Sequence, residues 1–368
     1  MRVGFDAGPI RSAYGGIGQY VRCLFPAMFR RSQAIEWIAY TSSNVSAQTF
    51  PFQPHSHVSW KYPEFSWFFG LTRKERTTPH LFHGTNFKAP NYGQKRTVLT
   101  IHDLWLARNP QYSKKLFGEG LASWKLGFLA KRVSRVIAVS QFSAREIQEV
   151  FHLPSECITV IHHGCSPDMF PLRDEQKIQE LRARLQLPGR PFILFVGGAE
   201  PRKNHSVLFE AFSRSARLSK SFSLVAVGEG QARGASLVGT ARKFRIADSV
   251  CCPGHVSVED LRMLYSHAEG FVFPSLYEGF GIPLLEAMAC GAPIITGKGS
   301  ALSEVGGDAA LYVNPQDPEQ LGVELERLVG DPGLQEQLRT KGFERVKQFT
   351  WDRAAQQTLD LYQEVVSS

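Results

Sequence analysis

Short apolar runs alternate with longer stretches of helical period along most of the chain. In the first half the runs are Arg2-Val3-Gly4-Phe5, Trp37-Ile38-Ala39-Tyr40, Leu81-Phe82-His83, Thr97-Val98-Leu99-Thr100-Ile101, Arg135-Val136-Ile137-Ala138-Val139 and Ile158-Thr159-Val160-Ile161. The second half repeats the theme with Phe192-Ile193-Leu194-Phe195-Val196, Phe222 to Val227, Gly270-Phe271-Val272-Phe273 and Pro293-Ile294-Ile295-Thr296. Strands separated by helical segments form βαβ units, whose crossovers require parallel pairing. Because the theme occurs twice, the chain is expected to be α/β with two doubly wound domains. A polar stretch from Gly164 to about Pro188 contains Ser166-Pro167-Asp168 and a helix-prone segment from Asp174 to Leu187. It sets the boundary near residue 166, giving domains 1–165 and 166–350. At the end of the chain Ala354, Ala355, Leu359, Tyr362 and Val365-Val366 recur at roughly helical spacing.

Composition narrows the class. The 368 residues suit two domains that each bury a core, and 43% hydrophobic content excludes a disordered chain. Apolar runs such as Phe192–Val196 fall far short of the roughly 18 residues a membrane-spanning helix needs. Asp6 stands where a signal peptide would be apolar, so export is not expected. The six cysteines include no C-x-x-C pair, and vicinal Cys251-Cys252 cannot easily bridge, which points to a reducing, cytoplasmic setting. His162, His163 and Cys165 cluster without matching a zinc spacing.

The net charge of +8 is unevenly divided. Residues 1–165 carry 20 Lys and Arg against nine Asp and Glu, a balance of +11, and the remainder carries 22 against 25, or −3. Such a basic half suits nucleic acid, an anionic membrane or a phosphorylated ligand. Two stretches contribute to it: Trp67 to Arg76, and a helix-prone region with Lys114, Lys115, Lys125, Lys131, Arg132 and Arg135. Each reads equally as a membrane-facing surface or as an amphipathic helix whose apolar face is core.

The strongest local signal runs from Pro274 to Gly291. After a strand come Glu278-Gly279-Phe280-Gly281-Ile282, then Pro283 near the first helical position, then helix formers including Glu286, and a closing Gly291. Glycines let backbone approach a ligand, and the free N–H groups of a helix start favour phosphate oxygens. The glycines alone would read as a turn; two acids at an interval of eight around them indicate a binding site.

Here the chain resembles glycosyltransferase family 4 of the retaining GT-B superfamily, whose signature of Glu, seven residues, Glu is matched by Glu278 and Glu286. Glu200-Pro201-Arg202-Lys203-Asn204, after the turn at Gly197-Gly198, resembles the family's basic loop. Two adjacent cations suit a diphosphate leaving group where no metal neutralises it. Gly254-His255-Val256 matches a region where the family's backbone reads the nucleotide base, and Gly228-Glu229-Gly230 follows a strand in the same way. In the first domain Gly15-Gly16-Ile17-Gly18 resembles the family's first loop, and His102 lies where its active-site His contacts the transferred sugar. Asp103 either assists there or caps the next helix.

The resemblance implies a GT-B fold of two Rossmann-like domains facing a central cleft. The first would bind the acceptor, with the helix at 351–368 packing back on it, and the second the donor. Arg202 and Lys203 would neutralise the diphosphate, Glu286 hold the ribose, Glu278 orient the sugar and His102 contact it. The Glu-Pro-Arg-Lys-Asn form is similar to bacterial mannosyltransferases of O-antigen and exopolysaccharide assembly, which implies GDP-mannose as donor. A glycan or lipid-linked saccharide is then the implied acceptor, with the enzyme cytoplasmic or peripheral on the inner face of the membrane. No Asp-x-Asp triplet occurs, so neither metal nor cofactor is expected. His162-His163-Gly164 departs from the family's usual Asn-Gly. Gly291 to Gly299 imitates a P-loop, but five residues rather than four separate its first glycines, and Gly299 replaces the hydroxyl residue. The alternatives are a nucleotide-sugar epimerase or phosphorylase on the same scaffold, or a basic nucleic-acid- or membrane-binding protein. Nucleic acid is not the expected partner.

Overall fold

The computed structural model describes residues 1–11, 15–41, 58–61, 79–87, 96–112, 126–228, 231–232 and 235–368. It divides into two units, Met1–Gly164 with Thr350–Ser368, and Cys165–Phe349.

Among the described residues of the first unit are seven strands: β1 (Arg2–Asp6), β2 (Glu36–Tyr40), β3 (Val58–Lys61), β4 (Leu81–Gly84), β5 (Thr97–Ile101), β6 (Arg135–Ala138) and β7 (Ile158–Val160). Their order is β3-β2-β1-β4-β5-β6-β7, and every pairing is parallel. Successive side chains of a strand point to opposite faces, and both faces here are apolar, as helix-covered parallel sheets require. On one face Val3, Phe5, Trp37, Ala39, Leu81, Val98 and Ile137 pack with Val21, Leu24 and Phe25 of the Gly16–Arg31 helix. Ala355, Leu359 and Tyr362 of the Trp351–Ser367 helix join the same core. On the other face Ile38, Tyr40, Phe82, Leu99, Val136 and Ala138 pack with Ile147 and Phe151 of the Gln141–Phe151 helix.

The second unit contains β8 (Phe192–Val196), β9 (Ser223–Val227), a small antiparallel ribbon of β10 (Gln231–Ala232) and β11 (Ala235–Ser236), β12 (Val250–Gly254), β13 (Gly270–Phe273), β14 (Ile294–Gly297) and β15 (Ala310–Val313). Its six-stranded sheet runs β12-β9-β8-β13-β14-β15, again all parallel. Ile193, Phe195, Leu224, Ala226, Val272 and Ile295 form its core with Leu208 and Phe212 of the His205–Arg214 helix and Leu321, Leu325 and Leu328 of the Pro318–Gly330 helix. The helix-prone segment after residue 174 is a helix from Glu175 to Leu185, capped by the Asp174 side chain, which accepts from the Lys177 N–H at 3.1 Å.

Both sheets reverse their order beside the first strand, between β1 and β4 and between β8 and β13. Carboxyl ends at such a switch point splay their loops apart and leave a crevice where ligands of open α/β sheets bind.

Besides the short β10–β11 ribbon, three strands of the two large sheets escape the sequence pattern: β3, β12 and β15. All lie at sheet edges, where burial is partial and an unbroken apolar run is not required. β12 also contains Pro253, which an edge tolerates. Arg135 opens β6 rather than belonging to a helix, and the Arg132 guanidinium lies over the Phe128 ring at 3.8 Å. Trp67–Arg76, Lys114, Lys115, Lys125, Glu229 and Gly230 lie outside the described residues. Among the described residues no helix is long and apolar enough to cross a membrane.

Candidate active site

In the second unit the loops after β8 and β13 carry the acids and cations that stand out in the sequence. Gly197 and Gly198 follow β8, and the single turn Pro201–Lys203 presents Arg202 and Lys203. Gly228 has φ of +138°, and a Cβ there would approach the Gly197 carbonyl oxygen to 2.6 Å, so the turns after β8 and β9 meet through bare backbone. Asn204 adopts the left-handed conformation (φ 56°), which asparagine accepts more readily than most residues. Its amide donates to the carbonyls of Pro274 (3.0 Å) and Pro315 (2.5 Å), and the Leu276 N–H donates to the Arg202 carbonyl (2.8 Å). The basic loop is thereby fastened to the acidic one.

Glu278 lies at the centre of the result. Its Oε2 accepts from Arg202 Nη1 and its Oε1 from Lys203 Nζ, each at 2.8 Å, while Glu200 takes Arg202 Nε at 2.9 Å. The side chains of Glu278 and Lys203 are only 9% and 14% exposed, so neither charge is held by bulk water and each depends on its partners. Burial works against the Glu278 carboxylate, yet Arg202 and Lys203 together hold its pKa below the usual carboxylate range. Burial outweighs Glu278 at Lys203 and lowers the ammonium pKa. The Lys203 Nζ also lies over the Phe273 ring at 4.8 Å.

Beyond Glu278, Gly279-Phe280-Gly281 turns the chain into the Ile282–Cys290 helix, with Gly281 left-handed at φ 111° and Pro283 in its second position. Phe280 is buried edge-on to Phe349 at 5.9 Å, and Ile282 is buried as well. Glu286 stands one turn into this helix, 6% exposed, and accepts from the Tyr265 hydroxyl at 3.3 Å. The structure thus joins Arg202, Lys203 and Glu278 directly and carries Gly279, Phe280, Gly281, Ile282 and Glu286 on the continuing segment. Gly254, His255 and Val256 are two strands away from β8, at the carboxyl end of edge strand β12, where Gly254 (φ 79°) accepts from the Gly228 N–H at 2.9 Å.

The other candidates surround the switch point of the first unit. Gly15, with φ of 149°, precedes the Gly16–Arg31 helix, and Gly16 and Gly18 open it. His102 follows β5. Its Nε2 lies 2.8 Å from the Thr85 carbonyl, which only accepts, so the proton is on Nε2 and Nδ1 is the acceptor. Burial lowers the His102 pKa to about 4, leaving the ring neutral. Asp103 Oδ1 accepts from the Trp105 N–H at 3.1 Å, a local turn at the start of the Trp105–Arg108 helix. Tyr20, which ends the stretch 15–20 but was not among the candidate site residues, packs edge-on to His102 at 4.9 Å and tilted on His163 at 5.0 Å. Its signal was three residues of helix after Gly16-Ile17, which turn it inward. Among the described residues no three His, Cys, Asp or Glu side chains gather as a metal site would.

Comparison with known proteins covers both units. Residues 14–169 match the family model described as Glycosyltransferase Family 4, and residues 177–345 the one described as Glycosyl transferases group 1. The chain is 31% identical over 292 residues to O-antigen chain mannosyltransferase B of Escherichia coli, covering 77% of this chain and 74% of that one. It is 29% identical over 280 residues to the serotype-specific mannosyltransferase WbdA of Escherichia coli, covering 74% of this chain but spanning about a third (34%) of that longer protein. Among solved structures, sucrose-phosphate synthase from Thermosynechococcus elongatus superposes with a TM-score of 0.77 at 21% identity, covering 100% of this chain and 99% of that one.

Proposed function

This chain belongs to glycosyltransferase family 4, and from that membership we propose that it transfers mannose from GDP-mannose to a glycan or lipid-linked saccharide with retention at the anomeric carbon. It is a glycosyltransferase of GT-B fold. The mannosyl assignment draws support from the relatives, which are named as mannosyltransferases of O-antigen chains and serotype.

The observation that carries the chemistry is the convergence of Arg202 and Lys203 on Glu278 at 2.8 Å each. Two cations already oriented by a buried carboxylate need little rearrangement to take a diphosphate, and preorganised charge is most effective where water is excluded. In the proposed step the bond from the anomeric carbon to the donor phosphate breaks, its electron pair going to the diphosphate held by Arg202 and Lys203. The acceptor hydroxyl bonds to the same face of that carbon and passes its proton to the departing phosphate. Glu278 orients the sugar hydroxyls, Glu286 accepts from the ribose diol, and neutral His102 accepts from a sugar hydroxyl through Nδ1. The Gly281–Ile282 helix start and the turns at Gly15, Gly198 and Gly254 supply backbone N–H groups. The reaction so written calls on no metal or cofactor.

A thermal-shift series with GDP, UDP and ADP tests the donor site, because a ligand selective for the folded state stabilises by mass action. GDP is expected to give the largest shift, and Lys203→Ala, Arg202→Ala and Glu286→Ala to reduce it. A larger response to UDP would remove the GDP assignment, and unchanged responses in all three variants would remove the site.

A further inference from the structure

Behind His102 runs a chain of buried polar side chains that none of the proposed steps uses. Tyr362, on the C-terminal Trp351–Ser367 helix, lies with its hydroxyl 2.6 Å from His83 Nδ1, and His83 Nε2 lies 2.7 Å from Thr100 Oγ1. Tyr20 Oη is 3.0 Å from the same Thr100 oxygen. His83, Thr100 and Tyr362 are fully buried, and Tyr20 is 3% exposed. Buried polar groups are kept when all are satisfied together, and such networks fix one arrangement of a core.

The strand register shows what this arrangement fixes. Residues two apart on a strand share a face, so His83 and Thr85 align along β4 and its extension, as Thr100 and His102 do along β5. Thr85 is itself held, its hydroxyl donating to the Asp6 carbonyl at 2.5 Å, and its own carbonyl receives the His102 Nε2–H. On the other side the Tyr20 ring, held by Thr100, packs edge-on to His102. His102 is therefore gripped by the Thr85 carbonyl and the Tyr20 ring; the hydrogen-bonded chain reaches the Tyr20 flank through Thr100, and on the other flank His83 is two residues before Thr85 on the same strand line.

We infer that Tyr362, His83 and Thr100 are positioning residues that hold His102 in its Nε2-protonated pose, making the C-terminal helix a working part of the active site. The inference rests on the reading of His102 as the residue that meets the transferred sugar. The chain is uncharged throughout: burial drives the His83 pKa to about 3 and raises that of Tyr362. A neutral His83 carries one ring proton, so it donates at one nitrogen and accepts at the other. Deleting any one hydroxyl breaks the sequence of donors and acceptors.

Two full-length variants test this, Tyr362→Phe and Thr100→Val, with Thr100→Ser as the control that keeps the hydroxyl. Two readouts are used: GDP released from GDP-mannose, or from whichever nucleotide sugar the wild type turns over, and the 15N signals of the His102 ring. Both hydroxyl-deleting variants are expected to lower kcat about three- to tenfold, the scale of one hydrogen bond, with donor KM and the nucleotide thermal shift unchanged. Both should also move His102 from pure Nε2-protonation to a mixture of tautomers, and Thr100→Ser should retain wild-type behaviour. Wild-type kcat and an unchanged His102 signal in both deletion variants would overturn the inference. A fall in kcat with the His102 signal unmoved, or an equal fall in Thr100→Ser, would reduce the chain to packing and overturn it too. Full turnover in His102→Ala would instead overturn the reading of His102 itself, with the tautomer shift still reporting on the positioning chain.

Discussion

Protonating His102 or His83 means charging a ring that the fold has removed from water, with pKa values lowered from 6.5 to about 4 and about 3. A depressed folded pKa makes the folded state bind fewer protons than the unfolded chain below pH 6.5. The stabilisation from each histidine is therefore complete above pH 6.5 and is lost as pH falls towards 4 and then 3. A tenfold change in proton affinity corresponds to about 1.4 kcal/mol, so the loss is expected to be a few kcal/mol per ring. Urea midpoints measured from pH 7 to pH 4 should fall in the wild type and fall less steeply in His102→Gln; parallel curves would contradict this account. For the same reason the rate profile should show no inflection from His102 between pH 5 and pH 8. Single residues stood out as candidates in the sequence where they belong to a local motif, as Arg202, Lys203, Glu278 and Glu286 do. Tyr20, Tyr265 and Tyr362 were not legible as functional neighbours, because a buried tyrosine on a helix has the same local pattern whether or not its hydroxyl meets a site residue.

At the scale of elements, the loop between β8 and the His205–Arg214 helix matters more than its length indicates. Asn204 combines a left-handed backbone with two hydrogen bonds that tie this loop to the carbonyls of Pro274 and Pro315. Asn204→Ala should lose about 1–3 kcal/mol of stability, since both carbonyls lose a donor and alanine is strained at that φ. It should also weaken nucleotide binding, because Arg202 and Lys203 are then no longer fastened beside Glu278. Denaturation and nucleotide titration of the variant check both outcomes, and wild-type affinity would show that the fastening is dispensable. Interior strands were readable as apolar runs because both of their faces are covered. The edge strands β3, β12 and β15 were not, because only part of each is buried.

At the scale of the whole molecule, the charge is divided unevenly along the chain, +11 for residues 1–165 against −3 for the rest. Chromatography or sedimentation with vesicles containing phosphatidylglycerol is expected to retain the protein at low salt and release it as ionic strength approaches about 0.5 M, through screening of the attraction. Equal behaviour with neutral vesicles would contradict a docking role for the basic half. The sequence by itself determined the two parallel α/β sheets and the chemistry available at their loops. Strand alternation, helix periodicity and motif spacing are local properties, and they survive in a chain of any tertiary arrangement. Only the tertiary structure decided that Lys203 and Glu278, 75 residues apart, meet at 2.8 Å, and that His83 finds Tyr362, 279 residues further on. Those meetings follow from β13 returning to lie beside β8 and from the last helix packing on the first unit's sheet. Both arrangements are selected by the burial of many apolar side chains at once, a sum over the fold that no single segment of sequence contains.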